Sequence, residues 1–178
     1  EMFCAGAATR LRNSLEIRLG KVTAEKLAGP MYFVDIWNIA EALGYNIPRE
    51  AIKGLGMGQR QFIQFNVALK QLAEESGVDA EAVLSRQKIV LHINSEIEGR
   101  VRADLIEHDF YGFKSDNIII LVQPVLPGYK ISDTGKLMVD ENSRRYPYGH
   151  GYALEQITQK GAGYTLSQDG RRSYIAES

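Results

Sequence analysis

A chain of 178 residues, 44% apolar and 24% charged, has the size and balance of one folded domain able to bury a core. Its net charge of -1 excludes a global basic field for nucleic acid or an anionic membrane, so any phosphate recognition must be local. Cys4 is the single cysteine, which excludes an intrachain disulfide and fits a reducing, cytoplasmic setting, and the longest apolar run, around Ile118 to Val122, is far too short to span a bilayer.

"EMFCAGA" predicts a short strand running into a tight loop of small residues. A mixed basic stretch follows, "TRLRNSLEIRLGK", and Gly29-Pro30 marks a break. "MYFVDIWNIAEAL" has helical apolar spacing and ends at Gly44. "GYNIPREAIKGLGMG" reads as a loop. "QRQFIQFNVALKQLAEES" predicts the clearest helix, with Phe62, Phe65, Leu69 and Leu72 on one face and Gly77 closing it.

"KIVLHIN" is continuous and apolar, the pattern of a strand buried on both faces of a parallel sheet. "SEIEGRVRADLIEHDFYGF" predicts a helix that stops near Gly112, and "NIIILVQ" a second buried strand ended by Pro124. Then come the turn "SDTGK", the short strand "LMV", a loop "RRYPYGHG" and a helix "YALEQITQK". No repeat or low-complexity tract interrupts the chain. It opens at Glu1 and closes on "SYIAES", which predicts a piece of a longer protein.

The order strand, helix, strand, helix, strand predicts an α/β sheet with right-handed crossovers. Ligands of such sheets sit beyond the carboxyl ends of the strands. "CAGAATR", "NSE" and "QPVLPG" fall at those ends, and the Tyr/Gly/His loop can fold over the same edge.

Each segment has a plain reading and a functional one. Small residues in "CAGAATRL" let backbone N–H groups approach phosphate, with Arg10 as a matching charge, or they form a tight turn with a solvated arginine. Lys53 precedes a glycine-rich bend and reaches phosphate, or is a solvated loop lysine. The Gln123 amide offers one donor and one acceptor to the imide edge of a pyrimidine, or it caps loose backbone groups. Asn94 and Ser95 are substrate-proximal, or cap the next helix. His150 between Gly149 and Gly151 favours a ligand contact. His92 reads as a core histidine. No metal-ligand spacing or nucleophile elbow is present in the sequence.

In this order the segments resemble the UTP–sugar-1-phosphate uridylyltransferases, or UDP-sugar pyrophosphorylases, with UDP-glucose pyrophosphorylase as the nearest branch. "AGAATRL" is similar to the family's small-residue loop ending in Thr-Arg or Thr-Ser and Leu. "VLHINSE" resembles its strand ending in Asn-Ser or Thr-Ser. "ILVQPVLPG" looks like the strand whose Gln reads uracil, "YPYGHG" like the loop whose Gly and His contact the uridine, and "AIKGL" like the segment whose lysine holds phosphate.

The resemblance implies a Rossmann-like mixed sheet of the nucleotide-diphospho-sugar transferase type. Residues 1–178 would be the nucleotide-binding part of one such domain, incomplete, with an inserted helical segment at about 12–57. It implies UTP plus a sugar 1-phosphate giving UDP-sugar and pyrophosphate, with Mg2+. Ala5, Gly6, Thr9, Gln123, Gly149 and His150 would bind the nucleotide, and Arg10 and Lys53 would be the catalytic cations. Lys21 and Lys26 compete for the role of Lys53. Alanines at 5, 7 and 8 depart from the family's more glycine-rich loop, and its acidic metal-binding motif lies beyond this chain. The other expectation is a nucleotide-binding or interaction domain that keeps the fold without turnover.

Overall fold

The computed structural model describes residues 2–5, 9–46, 54–143, 145–149 and 151–175, with residues 2–5, 9, 10 and 31 described by backbone alone. A five-stranded mixed sheet runs in the order β1-β2-β3-β8-β9. β1 is Met2–Ala5, β2 Ile89–Asn94, β3 Ile118–Gln123, β8 Gly163–Leu166 and β9 Arg172–Tyr174. β1, β2 and β3 are parallel, with Ala5 beside Ile93 and Asn94 beside Gln123, so their carboxyl ends share one edge. β8 and β9 join antiparallel.

The two continuous apolar segments form the expected buried strands. Ile89, Leu91, Ile93, Ile118 and Ile120 are fully covered and lie in the main core. Burying each such side chain contributes about 1.5–3 kcal/mol, which is why the strands lie inside the sheet rather than at its rim. The covering helices are α4 (Met57–Glu75), α5 (Ala80–Arg86) and α6 (Glu98–Glu107), which supply Phe62, Leu84, Val101 and Leu105.

α4 begins and ends near the expected positions, but its inward stripe differs. Phe62, Asn66 and Ala73 are buried, and Phe65 and Leu69 pack partly against the core. Leu72, expected on the core face, is 60% exposed. At 100° per residue the stripe Phe62–Asn66–Leu69–Ala73 points inward and Leu72 falls to its side.

The expected helix over 31–43 starts later. Met31–Phe33 form a 3-10 turn, and α3 runs from Ile36 to Ala42. Asp35 ends the non-helical part by accepting the Trp37 N–H at 2.8 Å, an N-cap bond. The basic stretch before it forms α1 (Thr9–Leu19) and α2 (Lys21–Leu27), hinged at Gly20 with φ +79°. Leu15, Ala24, Ala28, Val34 and Ile39 make a second, smaller core there.

The helix expected to stop near Gly112 ends at Glu107. Asp109, Phe110 and Tyr111 then take φ of +46°, +50° and +55°. Left-handed non-glycine residues each cost about 1–2 kcal/mol, so something must offset them. Phe110 gains full burial, and Tyr111 gains a hydrogen bond from its hydroxyl to Asp104 Oδ2 at 2.7 Å. Asp104 also accepts from the Tyr32 hydroxyl at 2.8 Å and from Gln59 Nε2. Burial, and then the neighbouring Asp104, push both the Tyr32 and the Tyr111 phenol well above their ordinary range.

After β3 the chain makes β4 (Val125–Leu126), the hairpin β5 (Gly128–Ile131) and β6 (Leu137–Asp140), β7 (Tyr146–Pro147) and α7 (Tyr152–Thr158). The hairpin turn falls in "SDTGK" as expected: Ser132 N–H donates to the Lys136 carbonyl at 2.8 Å.

Candidate functional site

The site is assembled by two pairings. The parallel register sets Ala5, Asn94 and Gln123 at one sheet edge. The short antiparallel pair of Val125 with Pro147 and Leu126 with Tyr146 then folds the 146–149 loop back onto that edge. The hairpin β5–β6 is therefore an excursion that leaves the loop's address unchanged.

The result is a direct contact between two of the segments singled out in the sequence. Gly149 N–H donates to Gln123 Oε1 at 3.0 Å. Gln123 is 1% exposed, yet its Nε2 donates to no described residue. So both readings of Gln123 apply to different atoms. Its oxygen caps the loop, which removes the two-point pairing expected with a pyrimidine edge, and its N–H2 remains as a donor. Gly149 sits at φ +104°, a conformation that disfavours any side chain, while Gly151 has an ordinary φ of -61°. Only one of the two glycines beside His150 is thus needed for its dihedral freedom.

Asn94 is buried, and its Oδ1 accepts from the N–H groups of Glu96 at 3.0 Å and Ile97 at 3.2 Å. This closes a side-chain turn at the end of β2 rather than capping α6, whose N-cap is Ile97 and carries no side-chain cap. Ser95 N–H donates to the Gln123 carbonyl at 3.0 Å, which locks the ends of β2 and β3 together. Asn94 and Ser95 therefore act as scaffold at the edge through these atoms. His92 is fully buried mid-strand, as a core histidine is.

Ala5 closes β1 at the same edge, and Thr9 and Arg10 form the first turn of α1 just beyond it. The side chains of Ala5, Thr9 and Arg10, and all of Gly6, Lys53 and His150, lie outside the described residues. Lys21 and Lys26 are exposed on α2. Tyr146 and Tyr148 are about half exposed rather than packed under the loop. Tyr148 instead stacks on Tyr152, the first residue of α7, with ring centroids 5.0 Å apart.

One residue at this edge gave no signal in the sequence. Gln156 on α7 is buried, and its Nε2 donates to the Val122 carbonyl at 2.7 Å. Its Oε1 accepts from no described residue. A glutamine in a short amphipathic helix looks solvated until the fold places it.

Among the described residues no group of three or more His, Cys, Asp or Glu side chains gathers to hold a metal. No helix among them is long and apolar enough to cross a membrane. No protein-family model matches the chain, and neither the curated proteins nor the solved structures contain a match to it.

Proposed function

We propose that the chain is the nucleotide-binding part of a UTP–sugar-1-phosphate uridylyltransferase, on a sheet of the nucleotide-diphospho-sugar transferase type. The observation that carries this is the 3.0 Å hydrogen bond from Gly149 N–H to Gln123 Oε1. The resemblance assigns these two segments to the uracil, and they are 26 residues apart in sequence. Their meeting at the carboxyl edge of parallel strands is what a base pocket at that edge requires.

In this reading Gln123 Nε2 donates to a carbonyl oxygen of the base. A carbonyl is what uracil presents and what the exocyclic amine of cytosine or adenine replaces, so the contact favours UTP over CTP and ATP. The bond from Gly149 holds the amide in that orientation before ligand arrives, which lowers the ordering cost of binding. The triphosphate lies towards the start of α1. First-turn N–H groups of an 11-residue helix and the Arg10 charge meet it there.

The reaction joins two anions: a sugar phosphate oxygen attacks the α-phosphorus of UTP and pyrophosphate leaves. Positioning and charge neutralisation carry such a step, and Arg10 and Lys53 supply positive charge. Among the described residues no cluster of carboxylates gathers as a magnesium site.

Calorimetric titration with UTP, CTP and ATP tests the base reading. UTP is expected to bind at least about tenfold tighter than the other two, the discrimination of one well-placed hydrogen bond. Equal affinities, or no binding, overturn it. Tight UTP binding with no pyrophosphate release from added sugar 1-phosphate and Mg2+ would instead favour a nucleotide-binding domain without turnover.

A further inference from the structure

The β5–β6 hairpin is turned the wrong way round for a surface element. Its register pairs Tyr129 with Val139 and Ile131 with Leu137 on one face, and Gly128 with Asp140 and Lys130 with Met138 on the other. Side chains alternate along a strand, so the first face is wholly apolar. An antiparallel sheet ordinarily lays such a face on the core and gives the polar one to water. Here Tyr129, Ile131, Leu137 and Val139 are between 47% and 73% exposed, and none of them belongs to either core.

The polar face is the one that meets the body. Gly128 N–H donates to Ser143 Oγ at 2.6 Å, and a Cβ added at Gly128 would run into Ser143 and then the Tyr146 ring. The 143–146 segment therefore lies on the Gly128 side. Lys130 and Asp140 stand 3.8 Å apart on the same side and neutralise each other. The apolar face points away from that segment.

A two-stranded hairpin alone is marginally stable in water and gains from a layer packed on its apolar face. The four side chains present about 500 Å² of surface, in the range where an exposed patch is commonly functional. Two copies of that patch bury about 1,000 Å² together, the size at which a specific interface begins. Charge also favours a second copy. No charged side chain stands on the face to select an oppositely charged partner, and a net charge of -1 repels another copy only weakly.

We propose that Tyr129, Ile131, Leu137 and Val139 pack on the same four residues of a second copy of this chain, forming a two-fold dimer. The two hairpins then stack as layers about 10 Å apart, as packed sheets do. Each patch meets its own image, so the contact closes at two copies and leaves no patch free for a third. It lies apart from the Gln123–Gly149 contact and stands whether or not the chain binds UTP.

Sedimentation velocity of the full chain between about 1 and 200 µM reads the association directly. A reversible monomer–dimer equilibrium in the micromolar range is expected, because the area is small for a specific contact. Leu137→Lys and Ile131→Lys each place a charge in the desolvated face and should weaken the dimer about tenfold or more. Both positions lie outside the cores, so the far-UV spectrum and thermal midpoint should hold, and either variant suffices should the other disturb the hairpin. Met138→Lys, on the opposite face, should change the dissociation constant by less than about threefold. Monomer at every concentration overturns the proposal and leaves the face to a different protein or segment. So does assembly that continues past two copies, or a dimer that survives both Leu137→Lys and Ile131→Lys in folded protein. A dimer weakened as much by Met138→Lys overturns it as well, because the contact would then use the other face. Failure of the UTP titration moves none of these results.

Discussion

Two buried polar regions of this molecule are built on opposite plans. At Asp104 the donors converge: Tyr32 and Tyr111 each spend their one hydroxyl hydrogen, and Gln59 an amide hydrogen, on one carboxylate. At the carboxyl edge of the sheet the amides of Gln123 and Gln156 are each half used, one atom tied to backbone and the other without a described partner. A closed network fixes one conformation and has nothing left for a ligand. The Gln123 amide is held in place by its Oε1 while its Nε2 stays available, whereas the unpaired Oε1 of Gln156 is enclosed. The first region therefore reads as structure, and in the proposed function the Gln123 amide of the second is the one that meets ligand.

The largest expected effect separates the two. Asp104→Ala removes the acceptor of three donors and should cost about 3 kcal/mol or more of unfolding free energy, measured by denaturant titration. Nucleotide affinity of the fraction that remains folded should be unchanged. A stable Asp104→Ala protein with altered UTP affinity would break the comparison.

Gln123→Ala should do the reverse. Losing its Nε2 donor is expected to weaken UTP binding by about 1–3 kcal/mol, read by calorimetry. Stability should fall by only about 1 kcal/mol, for the Gly149 N–H left without its acceptor. Unchanged affinity in a folded variant removes Gln123 from the base site. Equal losses of binding and stability would make it a structural residue like Asp104.

The closed network also predicts an alkaline limit. Burial and Asp104 raise the folded-state pKa of Tyr32 and Tyr111, and burial and Glu98 raise that of Tyr164. The unfolded chain releases these protons from about pH 10 while the folded one keeps them. Below that pH their contribution is fully present, and above it stability falls as the unfolded state binds fewer protons. Unfolding titrations between about pH 9 and 11 should show this decline. Tyr32→Phe should lower stability by about 1 kcal/mol at neutral pH and make the alkaline decline shallower. A decline identical to that of the wild type would mean Tyr32 ionises alike in both states.

What the sequence makes legible here follows from how local each signal is. β2 and β3 were readable because strands covered on both faces have no polar positions to blur them. The hairpin turn at 132–136 was readable from its own residues. α5 was missed, although Asp79 accepting from the N–H groups of Glu81 and Ala82 is a local cap and "VDAEAV" carried that signal. β8, four residues long, and the left-handed turn at Asp109–Tyr111 were not readable, because their geometry is justified only by distant partners such as Asp104 and Ile120. Of the site, the segments were visible in the sequence and the bond between Gln123 and Gly149 was not, since β4–β7 pairing creates it.

Leu72 gives the smallest effect and the sharpest limit on pattern reading. Its spacing from Phe62, Phe65 and Leu69 fits one helix face, the apolar one. The same spacing also fits a position one step off the buried stripe, because an apolar face about 100° wide has edges. Asn66 resolves the ambiguity: it is buried at the position where the pattern prefers an apolar residue, and its Nδ2 donates to the Tyr111 carbonyl at 2.9 Å. That bond draws the Asn66 side of α4 inward towards the left-handed turn and leaves Leu72 facing outward. Leu72→Gln should therefore change stability by less than about 0.5 kcal/mol, in the range of surface substitutions. A loss of about 2 kcal/mol would mean Leu72 is buried in solution, with the helix face turned as its spacing alone suggested.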